Sequence, residues 1–484
     1  MKITDLKPAL IWQCFDEITK VPRPTHHLDK MKQFLVDWAE RHDIPVKTDA
    51  VGNVVMTAPA TPGHEDAPTI ILQGHQDMVA EKRGDSSHDF LNDPIETIVD
   101  GEWVKANGTT LGADNGMGCA AAMAVLLDKE LVHGPIECLF TVDEEQGLIG
   151  ANGIEPGMVT GSILLNLDSE EHGQLVIGCA GGKVTLATYK YSGCDAPKDT
   201  TYFFVHLDHF KGGHSGMEIG LGRGNACRQL GRFLWEANER FDLCLSTIDG
   251  GNLANAIPRE SKAIVGVASE KASDFARFVK GFSDMLHAEF ALAEGDAFTF
   301  TAEEVDRPAT IMTKADSDRL IAALFATPNG VQWMSNAVPG LIETSCNLAS
   351  IKMIAPGEIL VTVHQRSSVD SRRDEIADRV KALWLMAGAT VEFDDAYVGW
   401  APDPDSRVLK TAVESFKELF GSEPRVEALH AGLECGLFLE KMPGLDMISF
   451  GPTLKDIHSP NEKADIKSVG QFWMLLTDIL RRLA

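Results

Sequence analysis

The sequence predicts an α/β protein in which a mixed, largely parallel sheet covered by helices is interrupted by a second α/β domain. Three observations carry this. Up to Asp168, short apolar β-rich runs alternate with segments of helical period. Around Cys179-Ala180-Gly181-Gly182 that rhythm changes, and after Pro402 and Pro404 it returns. At 484 residues the chain is also too long for one ordinary core, since a domain takes roughly 150 residues. The expected layout is a discontinuous first domain, residues 1–186 and 398–484, with residues 187–397 inserted into it.

Residues 8–19 and 28–41 have helix-like apolar spacing, as in Leu28, Met31, Phe34, Leu35 and Trp38, with Pro22 and Pro24 between them. Residues 46–57 alternate like a hairpin that turns at Gly52-Asn53. Residues 69–73 are a β-rich run ending in Gly74-His75-Gln76-Asp77. Residues 81–100 read as a charged loop and residues 108–114 as a glycine-broken turn. Residues 115–127, rich in Ala and Met, predict a buried helix. The strand at 136–142 stops at Asp143-Glu144-Glu145, and the strand at 162–167 stops at Asp168. Within the insert, comparable runs of strands and helices at 202–305 and 316–393 predict two related units in tandem. The tail adds a helix at 406–420, strands at 426–430 and 446–450, the run Asp456-Ile457-His458-Ser459-Pro460-Asn461-Glu462, and a final helix.

Composition narrows the function. There are 44 basic and 71 acidic residues, a net charge of −27. That excess argues against a nucleic-acid backbone or an anionic membrane surface as partner. Nine cysteines are scattered without a CxxC pair, which predicts a reducing, cytoplasmic setting rather than disulfides or a thiolate metal site. No apolar signal core opens the chain. No apolar run approaches the roughly 20 residues of a membrane span.

In open α/β sheets, sites lie beyond the carboxyl ends of the strands. Here those ends carry His75 and Asp77, Glu144 and Glu145, Asp168, and His458. Asp114 stands at a turn-to-helix junction, where taken alone it reads as a helix cap. Glu144 and Glu145 are sequence neighbours and can serve one site only if the strand has already ended. His75 and Asp77, two apart, suit an imidazole oriented by a carboxylate. Two histidines and three carboxylates without cysteine suit zinc, cobalt or manganese. Five ligands are too many for one catalytic zinc with an open position, and two ions sharing a bridging carboxylate would use them.

On these motifs the chain resembles the dinuclear-zinc metallopeptidase family of carboxypeptidases, aminoacylases and deacylases, and within it the aminoacyl-histidine (β-alanyl-histidine) dipeptidase branch. The carrying stretches are residues 74–79, 109–116, 143–145, 166–171 and 457–462, with further matches at 178–182 and 211–216. The resemblance implies two divalent ions, zinc first and cobalt or manganese as alternatives. Asp114 would bridge them, His75 and Asp168 would complete one, and Glu145 and His458 the other. Asp77 would orient His75, and Glu144 would be the general base. His214 resembles an oxyanion histidine, although alone it reads as a loop-capping residue. Arg366 and Asn255 match groups at the substrate carboxylate, and Gly432 and Glu434 lie in a substrate-lining loop, with Glu434 a candidate for the free amine. Gly74 and Gln76 depart from many relatives. The implied activity is hydrolysis of Xaa-His and related small dipeptides by a cytoplasmic enzyme, with an inserted lid domain and a homodimer as further expectations. The alternative is a deacylase acting on N-acylated amino acids.

Overall fold

The strand Ile70–His75 is buried along its whole length. Two neighbours, Ile136–Thr141 and Ile163–Asn166, run parallel to it, with His75 opposite Thr141 and Gln73 opposite Asn166. The computed structural model describes residues 1–484, apart from the side chain of Asp395. Eight strands form this sheet in the order Val46–Thr48, Val54–Ala58, Ile136–Thr141, Ile70–His75, Ile163–Asn166, Asp446–Ser449, Gln174–Cys179 and Arg425–Leu429. Val54–Ala58 pairs antiparallel with Ile136–Thr141, so the sheet is mixed. It belongs to a unit comprising residues 1–179, 400–428 and 433–484.

The helix Ala113–Leu127 is buried from Ala113 to Val125 and packs against the helix Ala9–Thr19. Its small residues allow close approach. A Cβ on Gly118 would stand 2.4 Å from the carbonyl oxygen of Leu167. The charged stretch expected as loop up to Asp100 instead ends in a strand, Thr97–Asp100, paired with Trp103–Ala106. Its β-branched Thr97, Ile98 and Val99 outweigh the surrounding charge. Those two strands join Lys463–Asp465 and Leu454–Lys455 in a four-stranded sheet. His458 therefore sits on the loop between the last two strands of that sheet.

Residues 180–399 and 429–432 form the second unit. It holds two βαββαβ modules. One has strands Thr200–Asp208, Cys244–Gly250, Ser261–Ala268 and Thr299–Val305, with helices Ala226–Phe241 and Ala272–Phe290. The other has strands Gly181–Lys190, Ile342–Ala355, Glu358–Ser367 and Thr390–Tyr397, with helices Lys314–Ala326 and Asp370–Met386. All eight strands lie in one sheet, joined where Gly250 pairs with Ile351. The modules are nested in sequence rather than strictly consecutive. The first lies between the opening strand and the first helix of the second. Phe203, Phe233, Phe275, Phe282 and Phe300 fill the first module's core.

Candidate metal centre and a second polar cluster

Parallel strands ending at one edge of the sheet bring His75, the Asp143-Glu144-Glu145 turn and Asp168 together, and the helix start adds Asp114. His75 Nε2 lies 3.2 Å from Asp114 Oδ1 and 3.3 Å from Asp168 Oδ1. His458 Nε2 lies 3.1 Å from the other oxygen of Asp114 and 3.0 Å from Glu145. Asp114 thus faces one imidazole with each oxygen. Neither His75 Nδ1 nor Asp168 Oδ1, both buried, makes a well-aligned hydrogen bond.

This arrangement fits a cation. His75 Nδ1 faces Asp77 Oδ1 at 3.3 Å, which suits a protonated Nδ1. The lone pair on Nε2 would then point at two carboxylate oxygens, a repulsive contact unless a positive charge stands there. Ligand atoms bonded to one tetrahedral zinc at about 2.0–2.1 Å lie about 3.3 Å apart, close to the spacings seen. The electrostatics agree. Hydrogen bonds donated to Asp114 and Glu145 push His458 up to about 11. Burial opposes protonation of His75, but Asp168, Asp114 and Asp77 raise it well above the usual imidazole range. Burial lifts Asp168 to about 6 against the pull of His75. Burial also pushes Asp114 upward, but the two imidazoles outweigh it and hold that carboxyl well below the carboxylate range.

Asp77, fully buried, does more than face His75. It accepts from the backbone N–H of Glu144 at 3.0 Å and of Glu145 at 3.3 Å, and from Thr25 Oγ1 at 3.0 Å. Glu144 is half-buried. Desolvation, offset by His75 but reinforced by Asp168, Glu434 and Glu145, holds its carboxyl well above the usual range. Asp143 accepts from the backbone N–H of His26 at 2.6 Å, which anchors the acidic turn. Asp114 does not cap its helix. That position is served by Glu462, whose carboxylate accepts from the N–H groups of Leu111, Gly112, Ala113 and Asp114. Glu434 is buried under the same sheet edge, where Gln73 Nε2 donates to it at 2.5 Å and Thr141 Oγ1 at 2.9 Å. Its second oxygen has no partner, and burial raises it to about 8. Gly74 is required because a Cβ there would lie 2.3 Å from Asn115 Oδ1. Gln76 donates to the carbonyls of Phe140 and Gly52.

His214, Asn255, Arg366 and Gly432 fall in the second unit. Ser215 N–H donates to the carbonyl of Asn255 at 2.8 Å. Arg366 Nη1 donates to the Tyr397 hydroxyl at 2.7 Å, and a Cβ on Gly432 would lie 3.0 Å from the Tyr397 ring. His214 Nδ1 accepts from Met217 N–H at 3.0 Å, which caps the turn and leaves Nε2 as a donor. His364, with no role expected from sequence, and His430, at the start of the stretch expected as a substrate-lining loop, join them. His364 Nδ1 donates to the Ala254 carbonyl at 3.3 Å, and His430 Nε2 pairs with Ser345 Oγ at 2.7 Å. Burial and the Arg366 guanidinium push both imidazoles down to about 3. His364 Nε2, His430 Nδ1, Arg366 Nε and Ser368 Oγ are all buried without a hydrogen-bond partner.

Residues 71–482 match the model of peptidase family M20/M25/M40. The chain is 40% identical over 482 residues to the cytosol non-specific dipeptidase of Escherichia coli (strain K12), covering 100% of this chain and 99% of that protein. It is 43% identical to the aminoacylhistidine dipeptidase of Vibrio alginolyticus, whose crystal structure superposes with a TM-score of 0.95 over 100% of this chain and 98% of that one. The aminopeptidase PepT of Bacillus cereus shares the fold, with a TM-score of 0.61 at 16% identity over 99% of both chains.

Proposed function

The chain belongs to peptidase family M20/M25/M40, and from that premise we propose that it is a two-metal dipeptidase cleaving Xaa-His and related dipeptides, β-alanyl-histidine included. The observation that carries this is Asp114, whose two oxygens each face a different imidazole at 3.1–3.2 Å. His75 and Asp168 would hold one ion, Glu145 and His458 the other, and Asp114 would be shared between them. When bound, such a pair supplies Lewis-acid polarisation of a carbonyl and a water of lowered pKa. Zinc is our first assignment, with cobalt and manganese compatible with the same oxygen and imidazole donors.

The chain's own groups do the rest. Glu144, raised above the ordinary carboxylate range, is the stronger base for it and takes the proton from the attacking water. It then delivers that proton to the leaving amine. Asp77 fixes the His75 ring and the backbone of the Glu144 turn together. His214, with Nε2–H free to donate, supports the developing oxyanion. Arg366 and Asn255 take the substrate carboxylate, and Glu434 takes the free amine. Gly432 keeps the Tyr397 ring close beside Arg366. The nine scattered cysteines, with no CxxC pair among them, agree with a cytoplasmic enzyme.

Chelation followed by metal add-back tests this on β-alanyl-histidine and on its N-acetylated form. Hydrolysis of the free dipeptide is lost on chelation and returns with zinc, cobalt or manganese, while the acetylated form is a poor substrate. Preference for the acetylated form would favour a deacylase instead.

A further inference from the structure

The segments that carry the proposed ligands are tied together by buried side chains that bind main chain rather than metal. Arg23, 2% exposed, donates to the carbonyls of Gln76 at 2.9 Å, of Asp77 at 2.7 Å, and of Gly112. It therefore joins the His75 segment to the loop before Asp114. Asn115 Nδ2 donates to the Leu167 carbonyl at 2.8 Å and ties that loop to the Asp168 segment. Glu462, also 2% exposed, accepts from Leu111 N–H at 2.7 Å, Gly112 at 2.9 Å, Ala113 at 2.8 Å and Asp114 at 3.3 Å. It follows His458 by four residues, so it ties the last ligand segment to the same loop.

An ordinary helix cap is a local Ser, Thr, Asp or Asn that satisfies one or two N–H groups. Here no side chain from the helix start caps it, and a carboxylate about 350 residues away holds four consecutive donors. The loop is gripped on both sides, its N–H groups by an anion and its Gly112 carbonyl by a cation. Space is kept for this. A Cβ on Gly112 or Gly116 would lie 2.5 or 2.6 Å from Arg23 Nη2. Relieved of capping, Asp114 has both oxygens free for the two imidazoles.

We propose that Glu462 is a positioning residue for the metal centre. Its carboxylate clamps residues 111–114 to the His458 loop, sets Asp114 between His75 and His458, and so couples the two ion sites, while Arg23 holds the same loop from its carbonyl side. The proposal rests on the two-metal reading above. A glutamine at 462 turns one of the two acceptor atoms into a donor facing N–H groups, and a lysine at 23 cannot span carbonyls as a guanidinium fork does.

Metal-free wild type, Glu462→Gln and Arg23→Lys are titrated with zinc against a chromophoric chelator, and their visible absorption is recorded at saturating cobalt. Wild type binds two ions. Glu462→Gln binds at least one of them about 10–100-fold more weakly, the usual cost of losing a group that orients a ligand. Its cobalt spectrum is shifted even when fully loaded, which a general loss of stability would not produce. Arg23→Lys moves the same way by a smaller factor, and it decides the matter if Glu462→Gln does not fold. A folded variant with wild-type affinities and cobalt spectrum overturns the clamp alone. A wild type that does not bind two ions overturns the metal-centre reading and the clamp with it.

Discussion

Histidine is set to opposite purposes in the two units. In the first, His75 and His458 face carboxylates and are driven toward the protonated form. In the second, His214, His364 and His430 are desolvated in the field of Arg366 and are held neutral. One residue type therefore lines both the proposed metal centre and the proposed seat of the substrate carboxylate. The difference comes from neighbours rather than from the imidazole. Carboxylates that outnumber the local positive charge call for a metal. The Arg366 guanidinium, whose buried Nε has no hydrogen-bond partner, suits the substrate carboxylate proposed for it.

Glu144→Gln lowers kcat by on the order of 10²–10⁴-fold, the range for removing a general base, while metal content measured by elemental analysis stays at the wild-type level. Retained turnover would remove Glu144 from that role. Arg366→Met should separate the units from the other side. It costs about 2–5 kcal/mol in kcat/KM, mostly as a higher KM, because a desolvated charge loses its partner. Zinc affinity is unchanged, and a fall in zinc affinity would show that the two clusters are not independent. The smallest effect is on stability. An unfolded histidine titrates near 6.5, whereas folded His364 titrates at about 3. Between those values the unfolded chain takes up the proton and the folded chain does not, so wild type loses stability as pH falls from about 6.5 toward 3. His364→Asn narrows the gap in unfolding free energy between pH 7 and pH 5 by up to about 2 kcal/mol, read by urea titration. A gap as wide as in wild type would mean that His364 is not held neutral.

Much of the first unit's proposed site is legible in sequence because several of its proposed ligands stand at ends of apolar runs. Ile70–His75 and Ile163–Asn166 are buried strands, and the polarity change at each end is visible without coordinates. The acidic turn was ambiguous alone and gained meaning from its company. Arg23 was not legible. It is a single arginine between two prolines, and its importance lies in three carbonyls up to 89 residues away. Glu462 lay inside a recognised run, but nothing local says that it caps a distant helix. Asp114 looked like the cap for the same reason. His364 and His430 occupy strand and loop positions where a buried structural histidine is the ordinary expectation, and only the Arg366 field sets them apart. The nested modules were partly legible as a repeat. Their interleaving was not, because sequence similarity between them is weak and a strand does not announce its partner.

That nesting has a consequence for how the chain emerges during synthesis. Residues 200–305 contain a full set of four strands and two helices and can close as soon as they leave the ribosome. The strand Gly181–Lys190, made earlier, must wait for Glu358–Ser367 and Thr390–Tyr397, which flank it in the sheet. The first unit waits longer still. Its strand Asp446–Ser449 lies between Ile163–Asn166 and Gln174–Cys179, so that sheet is completed only after the whole second module has been made. His458 arrives later than any other proposed ligand, and Glu462 arrives with it. The proposed metal centre is thus completed by residues made after the modules between, once these have had time to fold.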